Sequence, residues 1–254
     1  MEKLALPQAI LKHVKDMTYE INEIGQSRAQ IYHFSKRDRE YFLKIEKSNA
    51  EFQHEQEMMK WLYKKLPVPK VVAQCEEGDF DYLLMTKMFG TMACADDYLK
   101  KPEELVRILA EGIKALQSVK VWRCPYTCTI ENKLALAKIR IEKGEIDDWE
   151  ESVRFKTPQE LYEYLVKNQP KEEFVFSHGD YCLPNLFFDH GKVTGYIDLG
   201  RSGVADKWQD IALCVRSLTF NLKSNSYNKL LFECLGIEPN EEKIEYYILL
   251  DELF

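Results

Sequence analysis

The chain has 254 residues, 45% of them hydrophobic and 30% charged, which suits a globular protein able to bury one large core or two small lobes. Its 42 acidic residues outnumber 35 basic ones and give a net charge of −7, which argues against a nucleic-acid groove of clustered Lys and Arg and permits a cationic ligand. No apolar run approaches the roughly 18 residues that span a bilayer, and the start Met1-Glu2-Lys3-Leu4-Ala5-Leu6-Pro7 lacks the basic and apolar regions of a signal peptide, so a cytoplasmic protein with no membrane or nucleic-acid partner is expected.

In chain order, residues 11–14 predict an opening helix, and 21–24 and 30–34 predict strands flanking the polar turn Gly25-Gln26-Ser27-Arg28. Residues 41–45 predict another strand. A helix over 51–66 places Phe52, Met58, Met59 and Leu62 on an apolar face, with Pro67 and Pro69 expected to stop it. Strands at 71–73 and 82–85 follow. Helical periodicity then dominates: 102–119, with Leu105, Ile108, Leu109, Ile113 and Leu116 inward, then 130–143 and 158–167. Strand-like pieces return at 174–177, 186–188 and 193–197, and helices at 207–221, 227–235 and 240–250 close the chain.

This order predicts an α+β protein with a small β-rich N-terminal lobe over 1–85 and a larger, mostly helical C-terminal lobe over 92–254. The seven cysteines are odd in number and scattered; only Cys124 and Cys128 are close, and no second Cys/His pair completes a zinc site, so reduced thiols are expected.

The densest chemistry lies between Phe176 and Gly200. Asp180 is followed five positions later by Asn185, and Asp198 comes thirteen residues after that. The pattern resembles the H-R-D-x-x-x-x-N loop and D-F-G turn of the kinase fold, here His178-Gly179-Asp180 and Asp198-Leu199-Gly200, and the resemblance implies a bilobal, protein-kinase-like fold with a hinge over 86–91. Mg²⁺ prefers hard oxygen ligands, which Asn185 and Asp198 would supply. Asp180 is then left to orient an acceptor hydroxyl and receive its proton, and His178 braces the loop.

Lys44 stands inside an apolar strand, where it must snorkel or meet an anion; it could pair with the α- and β-phosphates of a nucleotide, with Glu55 as its ion-pair partner. There is no G-x-G-x-x-G and no P-loop. Only Gly25 and Ser27 occupy the turn expected to cover the phosphates, and a plain hairpin turn is the alternative reading.

The resemblance then widens to almost the whole chain. The stretches Met58-Met59-Lys60-Trp61-Leu62, Lys65-Leu66-Pro67-Val68-Pro69-Lys70-Val71 and Cys124-Pro125-Tyr126-Thr127 carry it, with Val175-Phe176-Ser177-His178-Gly179-Asp180 and Ile197-Asp198-Leu199-Gly200-Arg201-Ser202-Gly203. So do Ala205-Asp206-Lys207-Trp208, Asp210-Ile211-Ala212, Cys214-Val215-Arg216-Ser217 and the final Lys243-Ile244-Glu245-Tyr246-Tyr247-Ile248-Leu249-Leu250-Asp251-Glu252-Leu253-Phe254. Together they resemble the aminoglycoside 3'-phosphotransferases, bacterial antibiotic-resistance kinases.

That resemblance implies ATP with Mg²⁺, and an aminoglycoside phosphorylated on a hydroxyl, the 3'-hydroxyl by analogy. It implies that Phe42 stacks on adenine and that backbone groups from Thr86 to Met88 meet the adenine edge, while the Ser27 hydroxyl could touch a phosphate if its turn is the covering loop. It implies an acidic substrate pocket from Asp147, Glu150, Asp251, Glu252 and the terminal carboxylate of Phe254, organised by Arg201 and Arg216. A monomer or weak dimer is expected. The chain departs from the family pattern at Leu183, Phe220 and Asn221, where acids are expected, and Asp147 replaces a Glu; weaker or narrower aminoglycoside binding follows. Kinases of other small alcohols and a non-catalytic nucleotide-binding protein are the alternatives. A protein kinase is disfavoured, because a helix-like segment begins at Asp206, too soon after Asp198 for a peptide platform.

Overall fold

The computed structural model describes residues 4–22, 29–146, 149 and 154–254. Helix α1 (Gln8–Val14) precedes strands β1 (Thr18–Asn22), β2 (Gln30–Lys36) and β3 (Arg39–Lys47), then helix α2 (Ala50–Leu62) and strands β4 (Val71–Glu77) and β5 (Phe80–Thr86). These strands form an antiparallel sheet in the order β1-β2-β3-β5-β4. Because side chains alternate across a strand, β3 sends Leu43 and Ile45 into a cluster with Ile10, Val14, Tyr32, Phe34 and Leu84, beneath α1. Phe42 and Lys44 are left on the opposite face, across from Met85 and Leu83 of β5.

The chain continues through β6 (Thr91–Met92), α3 (Asp96–Leu99), α4 (Pro102–Gln117), α5 (Ile130–Lys143), α6 (Pro158–Lys167) and β7 (Phe174–Ser177). A single 3₁₀ turn (Leu183–Asn185) leads to β8 (Leu186–Asp189), β9 (Lys192–Tyr196), β10 (Gly203–Asp206), α7 (Lys207–Leu222), α8 (Asn228–Leu235) and α9 (Glu241–Asp251). Strand β10 pairs with β7, and β8 lies between β6 and β9. The larger core is built around α4, whose Leu105, Ile108, Leu109, Ile113 and Leu116 are all buried, as their spacing predicts. Phe52, Met58, Met59 and Leu62 of α2 join this core.

Helix α4 is also an anchor for the segment richest in chemistry. The buried hydroxyls of Tyr181 and Tyr196 donate to the carbonyls of Leu109 (2.9 Å) and Gly112 (3.1 Å). Gly112 permits the approach, since a Cβ there would collide with the Tyr181 hydroxyl.

Helix α2 ends four residues earlier than its apolar pattern suggests. Tyr63 leaves the helical region with ψ 126°, Lys64 takes φ 71°, and the N–H groups of Lys65 and Leu66 fold back onto the Leu62 carbonyl at 2.7 and 3.1 Å. A local turn therefore stops α2 before Pro67 is reached. Strand β1 starts at Thr18, ahead of the expected 21–24, whose last two residues lie outside those described. Strands β6 and β10 and helix α3 are too short to register as periodic patterns. All seven cysteines are unpaired thiols. Among the described residues, no helix is long and apolar enough to cross a membrane.

Asn49 caps α2: its side-chain oxygen accepts the Phe52 N–H at 2.8 Å, and its amide donates to Glu46 and the Lys47 carbonyl at 3.0 Å each. Asn49→Ala is expected to cost about 0.5–2 kcal/mol, read as a lower urea midpoint at unchanged m-value. An unshifted midpoint would show that the cap contributes nothing.

Candidate active site

The loop after β7 turns at Gly179, which has φ 87° and packs so closely that a Cβ would collide with the Arg201 carbonyl oxygen. The turn is held from below by Asp210, in the first turn of α7. One Asp210 oxygen accepts from the Ser177 hydroxyl (2.8 Å) and the Gly179 N–H (3.0 Å), and the other from the His178 N–H (2.8 Å). Gln209 adds an amide donor to the Gly179 carbonyl at 2.9 Å. Burial pushes the Asp210 carboxyl up, and His178 with these donors opposes the shift.

His178 is fully buried. Its Nδ1 accepts the Asp180 N–H at 3.3 Å, so Nε2 carries the proton and donates to the Ile197 carbonyl at 3.0 Å. The imidazole thus ties the Asp180 loop to the segment entering Asp198, the bracing role expected of it. Asn185 closes the loop: its Nδ2 donates to the Asp180 carbonyl (3.1 Å) and to Asp180 Oδ2 (2.9 Å), while its own carbonyl accepts the Ile197 N–H at 3.0 Å.

Across from this loop, Lys44 Nζ donates to Glu55 Oε2 at 2.8 Å and lies 3.8 Å from Asp198 Oδ1. Burial works against the Lys44 charge, but Glu55 and then Asp198 hold its pKa above the ordinary lysine value. Burial also pushes the Glu55 carboxyl up, with Lys44 pulling it down. With a 2.8 Å hydrogen bond between them, we assign the pair as ammonium and carboxylate. Losing Lys44 would strand the buried Glu55 carboxylate, at a cost of about 3–5 kcal/mol, whereas losing Glu55 leaves Lys44 with Asp198. Asp198 adopts φ 59°, a region that favours glycine, and its side chain remains 47% exposed, so a strained backbone presents an accessible carboxylate.

A second set of charges lies around the chain end. Asp251, at the end of α9, is ion-paired through one oxygen to Arg216 and through the other, at 3.4 Å, to Arg201. Arg216 also reaches Glu252 at 3.4 Å, and Arg201 Nε bonds Glu51 of α2 at 3.1 Å. The Phe254 ring lies 5.7 Å from the Arg201 guanidinium and 5.4 Å from the Lys133 ammonium. Burial lowers the Lys133 pKa, with Cys128 and Asp251 opposing. The structure therefore assembles Arg201, Arg216, Asp251, Glu252 and Phe254 as one group and adds Lys133 and Glu51, which sequence patterns did not single out.

The remaining expected positions divide. Phe42 shares its sheet face with Lys44, two residues along β3. Thr86 closes β5, with its N–H given to the Lys70 carbonyl and its hydroxyl accepting the Lys70 N–H, both at 3.0 Å. Met88 packs over Gly195 of β9. Ser27, Asp147 and Glu150 lie outside the described residues. Leu183 is wholly buried in the larger core, with its N–H bonded to the Ser217 hydroxyl at 3.0 Å, so it is a packing residue rather than a pocket position that lost an acid. Asn221 turns inward to the Ser217 carbonyl at 2.8 Å, whereas Phe220 is 68% exposed.

Among the described residues no group of three or more His, Cys, Asp or Glu side chains gathers as a metal site. Two side-chain oxygens nevertheless stay available as acceptors. The Asn185 amide nitrogen is committed to Asp180, which leaves its oxygen as an acceptor, and the Asp198 carboxylate is accessible. This donor set suits Mg²⁺, which binds one or two protein oxygens and completes its shell with phosphate and water.

The sequence matches the profile described as "Phosphotransferase enzyme family" over residues 20–240. It is 39% identical to an aminoglycoside 3'-phosphotransferase of Enterococcus faecalis over the full length of both chains. It is 37% identical to one of Niallia circulans, covering 98% of this chain and 97% of that one. Its fold is similar to the crystal structure of a type VIII aminoglycoside-3'-phosphotransferase, with TM-score 0.81, 26% identity and 94% of each chain covered. It is also similar to a Streptomyces rimosus aminoglycoside phosphotransferase in complex with ADP and streptomycin, with TM-score 0.78, 23% identity and 92% of each chain covered.

Two variants probe this architecture. Asp210→Asn turns an amide N–H₂ toward N–H and O–H donors, so it is expected to destabilise the protein by about 1–3 kcal/mol in urea unfolding; wild-type stability would mean that Asp210 does not hold the loop. Leu183→Asp buries a carboxylate among apolar side chains and is expected to lower Tm by several degrees or more. A stable Leu183→Asp protein would place that side chain in the pocket after all.

Proposed function

This chain belongs to the phosphotransferase enzyme family, and within it to the aminoglycoside 3'-phosphotransferases, and from that premise we propose that it transfers the γ-phosphoryl group of ATP to the 3'-hydroxyl of an aminoglycoside. The observation that carries the reading is the placement of Asp180. Asn185 is hydrogen-bonded to it, His178 ties its loop to the segment entering Asp198, whose carboxylate lies 3.8 Å from Lys44, and its charge is felt by Arg201 and Arg216, the two arginines that hold Asp251. The ADP and streptomycin bound in the Streptomyces rimosus neighbour support a nucleotide and an aminoglycoside as the two ligands.

In this reading residues 1–85 form a nucleotide-binding lobe, 86–91 a hinge and 92–254 the catalytic and substrate lobe. Phe42 stacks on adenine, backbone groups between Thr86 and Met88 meet its edge, and Ser27 touches the phosphates. Lys44, held by Glu55, neutralises the α- and β-phosphates. Asn185 and Asp198 would hold Mg²⁺, which supplies charge neutralisation when bound. Asp180 accepts a hydrogen bond from the acceptor hydroxyl, orients its oxygen toward the γ-phosphorus and takes the proton as the new O–P bond forms; the bond to the β-phosphate bridging oxygen breaks and ADP leaves. Asp147, Glu150, Asp251, Glu252 and the Phe254 carboxylate bind the substrate's ammonium groups, with Arg201 and Arg216 keeping Asp251 and Glu252 in place. With Phe220 and Asn221 contributing no negative charge, a narrower range of aminoglycosides is accepted. The reaction is assigned to the cytoplasm, to a monomer or weak dimer, with antibiotic resistance as its consequence.

Asp180→Ala removes the proton acceptor and one of the two oxygens that hold the Asn185 amide, leaving the Asp180 carbonyl as the other. Its kcat with kanamycin is expected to fall about 10²–10⁴-fold, with ADP affinity by calorimetry held within a few-fold of wild type. Near-wild-type turnover would take Asp180 out of the mechanism.

A further inference from the structure

His33 has no part in the scheme above, yet it occupies the same sheet face as the nucleotide residues. The β2–β3 register sets it directly across from Phe42, and the β1–β2 register sets Glu20 directly across from it. The imidazole stacks on the Phe42 ring with centroids 4.8 Å apart and planes 16° from parallel. Both of its nitrogens meet carboxylates, Nδ1 with Glu20 Oε1 at 3.0 Å and Nε2 with Glu40 Oε2 at 2.8 Å. The two carboxylates grip the ring from both of its nitrogens. Lys87 bonds the same Glu40 oxygen at 2.8 Å and holds that carboxylate in place.

These contacts fix a ring that would otherwise turn freely on a sheet surface. Phe42 has no hydroxyl to pin its far end, and its neighbour across β5 is Met85, a flexible thioether that adapts rather than orients. Among the described residues, the flat partner stacked on it is His33.

We propose that His33 is a positioning residue of the nucleotide site: clamped by Glu20 and Glu40, it covers one face of the Phe42 ring and sets its plane, so that the other face meets adenine. The proposal rests on the reading of Phe42 as the adenine platform. It assigns Glu20 and Glu40 an indirect part in nucleotide affinity, although neither touches the nucleotide.

The test compares His33→Ala, His33→Phe, His33→Lys and Phe42→Ala. ADP affinity is measured by calorimetry, KM for ATP and for kanamycin in steady state, and Tm by thermal unfolding. His33→Ala is expected to weaken ADP binding and raise KM for ATP about three- to tenfold, the size of one aromatic-pair contact, while KM for kanamycin holds. His33→Phe, which keeps a flat partner, recovers part of the loss; His33→Lys, which has no flat ring, does not. Weakened ADP binding in Phe42→Ala with none in His33→Ala would overturn the proposal and leave the platform standing. Unchanged ADP binding in Phe42→Ala would overturn the platform and the proposal together. A parallel rise in both KM values with a fall in Tm would reduce His33 to a structural clamp and overturn the proposal as well.

Discussion

The buried carboxylate of Asp210 is the constraint on which the site depends. A loop that turns through a glycine with φ 87° leaves consecutive backbone N–H groups pointing into the protein, and these must be paired where water cannot reach. Asp210 takes the N–H groups of His178 and Gly179 and the Ser177 hydroxyl at once. Its own position is set by α7, whose N-cap Asp206 is buried and bonded at one oxygen by Lys243 (2.8 Å) and Tyr247 (2.9 Å) of α9. Helix α9 ends in Asp251, which returns to α7 through Arg216. The two helices form a frame closed at both ends by ion pairs. The Asp180 loop is pinned near one end of α7, and the acidic chain end is held farther along it.

The sheet half meets this frame through α2. Glu55 and Glu51 lie one turn apart on that helix and so share a face. Glu55 holds Lys44 inside the sheet, while Glu51 reaches Arg201, which in turn touches Asp251. A continuous run of charges therefore connects the lysine assigned to the phosphates with the carboxylates assigned to the aminoglycoside. Gly200 lets the run close, since a Cβ there would press on the Glu51 side chain. Displacing α2 would loosen both ligand-facing clusters at once.

Much of this was legible in the sequence because it is local. The α4 stripe, the Asp180–Asn185–Asp198 spacing and the Lys44–Glu55 pair combine short-range pattern with a known chemistry, and in the structure the stripe is buried, Asp180 bonds Asn185, and Lys44 bonds Glu55 and approaches Asp198. What was illegible depends on contacts between distant segments. Asp210 reads as an ordinary first-turn acid until the loop residues 31–33 positions earlier fold over it. Leu183 looks like a lost pocket acid in one dimension and is a core residue in three. His33 gains meaning only from strand register, which places Glu20 and Phe42 beside it. The end of α2 was overrun because its apolar residues continue through Leu66, while the turn at Tyr63 and Lys64 carries no distinctive residue.

The central claim is that this site phosphorylates an aminoglycoside at its 3'-hydroxyl. The most direct measurement is ADP release from the purified protein with MgATP, comparing kanamycin with an otherwise similar aminoglycoside that lacks the 3'-hydroxyl, and with no acceptor. The account predicts turnover with kanamycin and only background release in the other two. Equal turnover with the 3'-deoxy compound would contradict the regiochemistry, and no stimulation by any aminoglycoside from a protein that still binds ADP would contradict the substrate class.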